Sequence, residues 1–178
     1  RDFWRYFRRL AILAVVSEIP FNLENGAVFD PARQNVLFTF CLALLTLRGL
    51  EAQGRERGFR RWAGCGLVLA AGFAAGELLR TDYGGWGVVT VALLQLCRDG
   101  KYAKLWLLLA MAAVNGLGMG SLTMPVFGGE MPIQIFAVAA LPVIWLYNGQ
   151  AGPKGLRRAF YVFYPAHLLV LEGIRTLT

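Results

Sequence analysis

Apolar residues along the chain gather into seven blocks, with polar and charged residues concentrated between them. Their cores are Leu10–Leu23, Gln34–Leu47, Trp62–Leu79, Tyr83–Cys97, Leu105–Leu122, Pro132–Asn148 and Ala159–Gly173. Period-2 alternation is weak, which argues against a transmembrane β-barrel. Several blocks fall short of the ~20 residues that cross a ~30 Å hydrocarbon core. Such blocks must borrow flanking Arg, Lys, Trp and Tyr side chains that snorkel to the interface. The short Tyr83–Cys97 block is open to either a spanning or a re-entrant reading. The pattern predicts an all-α fold, a polytopic transmembrane helical bundle with about seven spans, over a single domain of residues 1–178.

Composition agrees with that reading. Of the 178 residues, 57% are hydrophobic and 16% charged, and mean hydropathy is +0.51. Soluble domains carry about 25% charged residues. Intrinsic disorder, a nucleic-acid partner and an ordinary cytosolic enzyme fit poorly, and the lipid bilayer is the expected partner. The net charge of +7 is unevenly spread. Lys plus Arg number 4, 1, 5, 1, 3, 0, 3 and 1 in the successive pieces between blocks. The rich pieces are Arg1–Arg9, Arg48–Arg61, Arg98–Lys104 and Lys154–Arg158. Strict alternation is what seven spans under the positive-inside rule produce, with the basic loops cytoplasmic and a multi-pass membrane location. The basic, aromatic opening from Arg1 lacks a cleavable signal pattern and reads as a loop entered from an earlier helix.

Polar residues inside apolar blocks are the candidates for chemistry, because burying an ionisable group in hydrocarbon costs roughly 2.5–3.5 kcal/mol on insertion scales. Glu18 lies beside Pro20, which leaves the Val16 carbonyl free if the helix continues. It reads either as part of a polar cavity or as the frayed end of a helix. Glu77 is expected at an interface, paired with a neighbouring basic group. Asn115 is expected to bridge helices, with Gly72-xxx-Gly76 and Gly116-xxx-Gly120 as close-packing surfaces. His167, the sole histidine, follows Pro165 and shares a helical face with Tyr164 at i−3. Imidazole suits proton transfer near neutral pH, although an isolated histidine is more often structural. Asn35 opens the second block and Asn148 closes the sixth. Lys154, Arg157 and Arg158 follow in a Gly-rich loop able to receive phosphate or simply to set orientation. Cys41, Cys65 and Cys97 form no ligand cluster, so no metal is expected.

The stretches Ser17-Glu-Ile-Pro-Phe-Asn-Leu23, Gln34-Asn-Val-Leu-Phe-Thr-Phe40 and Asp82-Tyr-Gly-Gly-Trp-Gly-Val-Val89 occur in that order. Ala140-Leu-Pro-Val-Ile-Trp-Leu-Tyr-Asn-Gly149 and Phe160-Tyr-Val-Phe-Tyr-Pro-Ala-His-Leu-Leu169 follow. Together they resemble the TraX family of integral membrane proteins over nearly the whole chain. The resemblance implies acetylation of a pilin N-terminus, with acetyl-CoA as acyl donor, and a bacterial cytoplasmic (inner) membrane location. Two features depart from the family pattern. Asn22 stands where an acidic residue is usual, and an N-terminal portion with an Asp-His pair in its first helix is absent. The chain is therefore expected to lack its N-terminal portion, and to be inactive alone if the principal base lies there.

Two function classes follow. One is a membrane acyltransferase, passing acetyl to a pilin or another envelope acceptor. In it His167, oriented by Tyr164, and Glu18 are catalytic; Asn35 and Asn148 line the acceptor cavity; and Lys154, Arg157 and Arg158 hold donor phosphates. The other is a non-enzymatic transporter or envelope-assembly scaffold, in which the same polar residues and helix breaks belong to a pathway or a packing surface.

Overall fold

The computed structural model describes residues 2–98, 101–118, 122–126, 129–147, 150 and 154–177, with the backbone alone at 154, 155, 157 and 158. It consists of α1 (Phe3–Glu24), α2 (Val36–Gln53), α3 (Gly58–Leu78), α4 (Gly84–Leu96), α5 (Ala103–Ala113), β1 (Thr123–Val126), β2 (Gly129–Pro132), α6 (Leu141–Leu146) and α7 (Lys154–Leu177). A π-helical turn, Val114–Gly118, extends α5, and a 3₁₀ helix, Ile133–Ala140, leads into α6. Strands β1 and β2 pair antiparallel, with Thr123 opposite Pro132 and Val126 opposite Gly129.

Each apolar block lies largely in helix, but the expected seven-span bundle does not form. Among the described helices only α2 is long and apolar enough to cross a membrane. The reason is where charge and helix breaks fall. Helix α1 has 22 residues but includes Arg5, Arg8, Arg9, Glu18 and Glu24. Helix α7 has 24 but includes Lys154, Arg157, Arg158, Glu172 and Arg175. Helix α4 has 13 residues, a rise of only ~20 Å against a ~30 Å core. The fifth block is interrupted by the π-turn, and the sixth is divided between the 3₁₀ helix and α6. The multi-pass inner-membrane placement, with its cytoplasmic loops inferred from charge alternation, falls with the spans. What stays is a membrane-associated character: apolar α2 is accompanied by exposed Ile12, Val15, Val16 and Ile19 on α1 and exposed Phe160, Phe163, Leu169 and Val170 on α7.

Helix α1 joins two neighbours. Against α2 it runs antiparallel, Arg48 lying over the Phe3 ring at one end and Asn35 bonding the Ala14 carbonyl at the other, with Leu10, Ala14, Leu37 and Cys41 in one buried cluster between them. Against α7 it runs parallel: Tyr164 packs on that cluster, while Arg175 Nη2 donates to the Leu23 carbonyl at the far end, 3.4 Å away. Helices α2, α3 and α4 pack through glycine. A Cβ on Gly76 would lie 2.6 Å from the Gly84 carbonyl oxygen, and one on Gly72 would strike Thr46. Thus the Gly72-xxx-Gly76 surface supports close helix approach. A separate cluster of Leu107, Met111 and Leu141 binds α5 to α6.

Two sequence expectations change here. Asn115 is buried, but its Nδ2 donates to the Met111 carbonyl of its own helix, 2.8 Å away at the π-turn, rather than to a neighbouring helix. A π-turn breaks the regular carbonyl ladder, so a local amide donor is needed there. Glu77 Oε1 accepts the Gly85 N–H at 2.8 Å instead of pairing with a basic group. Tyr83 at the N-cap of α4 makes no side-chain cap, and Glu77 supplies the missing acceptor.

Candidate functional site

The site forms where the start of α2 meets the middle of α1 and α7. Asn35 is the N-cap of α2, its Oδ1 accepting the Leu37 N–H at 3.0 Å. Being fully buried, it directs its remaining donors inward: Nδ2 to the Ala14 carbonyl at 2.9 Å and to Glu18 Oε2, and its backbone N–H to the same Glu18 oxygen at 3.3 Å. Glu18 Oε1 is buried with no hydrogen-bond partner among the described residues. The same is true of Ser17 Oγ and Asn22 Oδ1 on α1, and of Thr39 Oγ1 on α2. Glu18 and Asn22, four residues apart, share a helical face. Pro20 lies inside α1 without ending it, so Glu18 belongs to an intact helix rather than a frayed end.

Tyr164 packs against the α1–α2 cluster next to this pair. Its phenol is hydrogen-bonded by the Val36 backbone and its pKa is pushed up to about 12. Burial is the largest cause, followed by the negative fields of Asp82 and Glu18. His167 lies one turn further along α7, half-buried, with its ring stacked on Phe163 (5.1 Å between centroids) and edge-on to Tyr164 (5.3 Å). Its Nδ1 sits 3.1 Å from the Phe163 carbonyl. A carbonyl only accepts, so Nδ1 is the donor in this bond, which in the neutral ring leaves Nε2 as the acceptor. His167 touches Tyr164, which in turn bonds the backbone of Val36, next to Asn35.

The loops ahead of α2 and α4 are stitched together beside the cluster. The Gln34 N–H donates to the Arg80 carbonyl at 2.9 Å, and Arg33 Nη2 lies 2.7 Å from Asp82 Oδ1. Arg80 takes a left-handed φ of 50° at this turn, unusual for a residue with a Cβ. This places Asp82 and Tyr83 within electrostatic reach of Tyr164.

Two cavities adjoin these residues. The first, of about 650 Å³, runs between α1, α2 and α7, with Arg5 and Arg9 along one wall and Tyr161 and Tyr164 on another. The second, of about 410 Å³, is lined by Arg33, Glu77, Asp82 and Tyr83 among others. Tyr164 therefore belongs to the wall of the first and feels the charge of the second.

Of the residues singled out from sequence, Glu18, Asn35, Tyr164 and His167 come together. Lys154, Arg157 and Arg158 lie in the first turns of α7, with their side chains outside what the structure describes. Asn148 lies outside the described residues. Sequence reading missed Arg33 and Asp82, which sit in loops apart from any apolar block. It also missed Arg5 and Arg9, counted only as charge. Their signal was the i, i+4 spacing Arg5–Arg9–Leu13, which sets all three on one face of α1.

Fold and site define a helical, membrane-associated protein built around a buried carboxylate–amide–phenol cluster. The chain belongs to the TraX family: the family model described as "TraX protein" matches residues 1–175. It is also similar to a "Probable fimbrial assembly protein FimC, serogroup H1" of Dichelobacter nodosus. The two are 29% identical over 182 residues, covering 96% of this chain and 71% of that protein. No solved structure matches the chain.

Proposed function

We propose that this TraX-family chain is an acyl-CoA-dependent acyltransferase that moves acetyl from acetyl-CoA to the N-terminal amine of a pilin or to another envelope acceptor. The observation that carries the reading is the state of Glu18. One carboxylate oxygen is held by Asn35, and the other is buried with no hydrogen-bond partner among the described residues, its charge felt by Tyr164. A carboxylate so held is a proton acceptor waiting for a donor. Acyl transfer supplies one: the acceptor N–H or O–H attacks the thioester carbonyl, the new C–N or C–O bond forms, and the C–S bond breaks. The proton taken from the nucleophile ends on the departing thiolate.

In this reading Glu18 or His167 Nε2 accepts that proton. Tyr164, kept as a neutral phenol by its raised pKa, donates a hydrogen bond to the developing oxyanion. The first cavity suits the donor in size, since small-molecule sites run about 300–1,000 Å³. The second, lined by Glu77 and by Asp82 paired with Arg33, offers carboxylates to an amine, which loses its extra proton and attacks as the neutral base. Asn35 positions Glu18 and starts α2.

The name of the relative favours a second reading, a non-enzymatic envelope-assembly component. Purified protein incubated with labelled acetyl-CoA and pilin peptides bearing a free N-terminus separates the two. Label transfer that is lost with Glu18→Gln and His167→Ala supports the enzyme; no transfer and no thioester hydrolysis leaves assembly.

A further inference from the structure

The first cavity is unlike an ordinary core defect. Its α1 wall is a stripe at helical spacing, Asp2, Arg5, Tyr6, Arg9, Leu10 and Leu13, that changes from charged to apolar along the helix. Facing it on α7 are Tyr161 and Tyr164. The charged end has two guanidiniums against one carboxylate. That carboxylate is already engaged: Asp2 Oδ1 accepts the Arg5 N–H at 3.2 Å as the α1 N-cap, and Oδ2 lies 3.5 Å from Arg5 Nε. Both Asp2 contacts are exposed to solvent, where an ion pair is weak and yields readily to a stronger anion. Arg9 has no ion pair among the described residues. The nine steps from Arg5 to Ala14, whose carbonyl bonds Asn35, rise ~14 Å.

We propose that this groove is a binding site for a phosphate-bearing, elongated ligand, with Arg5 and Arg9 holding phosphate oxygens and the apolar end guiding an arm toward Tyr164. Resting on the acyltransferase reading, the ligand is the CoA moiety of the donor: phosphates at the mouth, thioester at the Tyr164 end. Guanidinium forks suit phosphate because they offer paired N–H donors in one plane. Tyr6 and Tyr161 add aromatic side chains to the lining, on which a purine could stack. The groove thus matches the ligand in order as well as in kind: charge first, then apolar length, then the reactive cluster. The site differs from the Lys154–Arg158 segment to which sequence assigned the phosphates.

Calorimetric titration of the purified chain with CoA and with pantetheine, neither of which requires turnover, tests this directly. CoA is expected to bind the wild type at least about ten-fold more tightly than pantetheine, since a charge-assisted hydrogen bond contributes roughly 1.5–3 kcal/mol. Arg5→Gln and Arg9→Gln each remove most of that difference without altering pantetheine binding. Arg9→Lys restores part of it, and Arg60→Gln on exposed α3 leaves it intact. Pantetheine binding reports that each variant still folds.

Equal affinity of the wild type for CoA and pantetheine overturns the proposal, as does a loss with Arg60→Gln equal to that with Arg9→Gln. Phosphatidylglycerol vesicles form the second arm. If they bind in an Arg5- and Arg9-dependent way and CoA does not, the anion is a lipid headgroup and the donor assignment is wrong. CoA binding without acyl transfer keeps this site and removes the catalytic reading. Transfer with a CoA affinity indifferent to Arg5 and Arg9 does the reverse.

Discussion

Asn35 grips Glu18 twice, through its backbone N–H at 3.3 Å and through its side-chain amide, while the same side chain caps α2. A helix start and a buried carboxylate thereby depend on one residue. Asn35→Ala removes the cap and leaves the inward-facing Glu18 oxygen with fewer donors. Stability is expected to fall by about 2–4 kcal/mol, summing a cap and an uncompensated buried charge. Asn35→Asp keeps a cap acceptor but sets two carboxylates face to face and should be at least as damaging. Adding Glu18→Ala to Asn35→Ala should recover part of the loss. Denaturant unfolding of the wild type and the three variants checks the order, and equal losses for Asn35→Ala with and without Glu18 would break the coupling.

Tyr164 carries the clearest titration signature. Its phenol pKa is raised from 10.0 to about 12, by burial first and then by Asp82 and Glu18. A raised acid pKa means the folded state holds its proton more tightly than the unfolded chain does. The associated stability is complete below pH ~10 and is lost as pH rises from there through about 12. Phenolate absorbance should show one tyrosine titrating near the top of that window, absent in Tyr164→Phe. Asp82→Asn should lower its midpoint by removing the second-largest cause. An unchanged midpoint in Asp82→Asn would mean that the Arg33 partner already cancels the Asp82 field.

Glycines within α3 make a contrast that hydropathy cannot predict. A Cβ at Gly76 would meet the backbone of Gly84 and Gly85 at 2.6–2.7 Å, and backbone has little room to yield. A Cβ at Gly66 meets nothing within 4 Å. Gly76→Ala should therefore destabilise by about 1–3 kcal/mol through overpacking. Gly66→Ala should stabilise by about 0.5–1 kcal/mol, because it lowers the entropy lost on forming helix. Thermal unfolding of both single variants is sufficient, and a shift of the same sign in each would refute the packing argument.

These cases show where sequence reading succeeds and where it stops. Apolar blocks located the helices because burial drives both, and Glu18, Asn35, Tyr164 and His167 stood out as polar residues in apolar surroundings. The number of spans was misread because block length and loop charge do not reveal where a helix begins. Arg5, Arg8 and Arg9 were assigned to a loop, yet they lie within α1. The π-turn at Val114–Gly118 holds Gly116 and Gly118, and the 3₁₀ helix at Ile133–Ala140 follows Pro132, but the block pattern absorbed both into apolar runs. Asp82 was invisible as a site residue because its link to Tyr164 depends on two loops meeting through Gln34 and Arg80.

The last prediction concerns how the cluster shares its work. His167 packs edge-on to Tyr164, Tyr164 bonds the Val36 backbone, and the neighbouring Asn35 holds Glu18, whose charge reaches Tyr164, so the three side chains are linked through the start of α2. If acyl transfer runs through them as a unit, the effects of substitution are not additive. Glu18→Gln, which keeps an acceptor for Asn35, should lower kcat by about 10²–10⁴ while leaving unfolding nearly unchanged. His167→Ala should cost a comparable factor, and the double variant little more than the worse single one. Tyr164→Phe should lower kcat with CoA affinity retained, since the ring still lines the cavity and only the hydroxyl is gone. Steady-state kinetics on the four variants decide the matter. Additive losses for Glu18→Gln and His167→Ala would assign them separate tasks, and full activity in Tyr164→Phe would remove the phenol from the reaction.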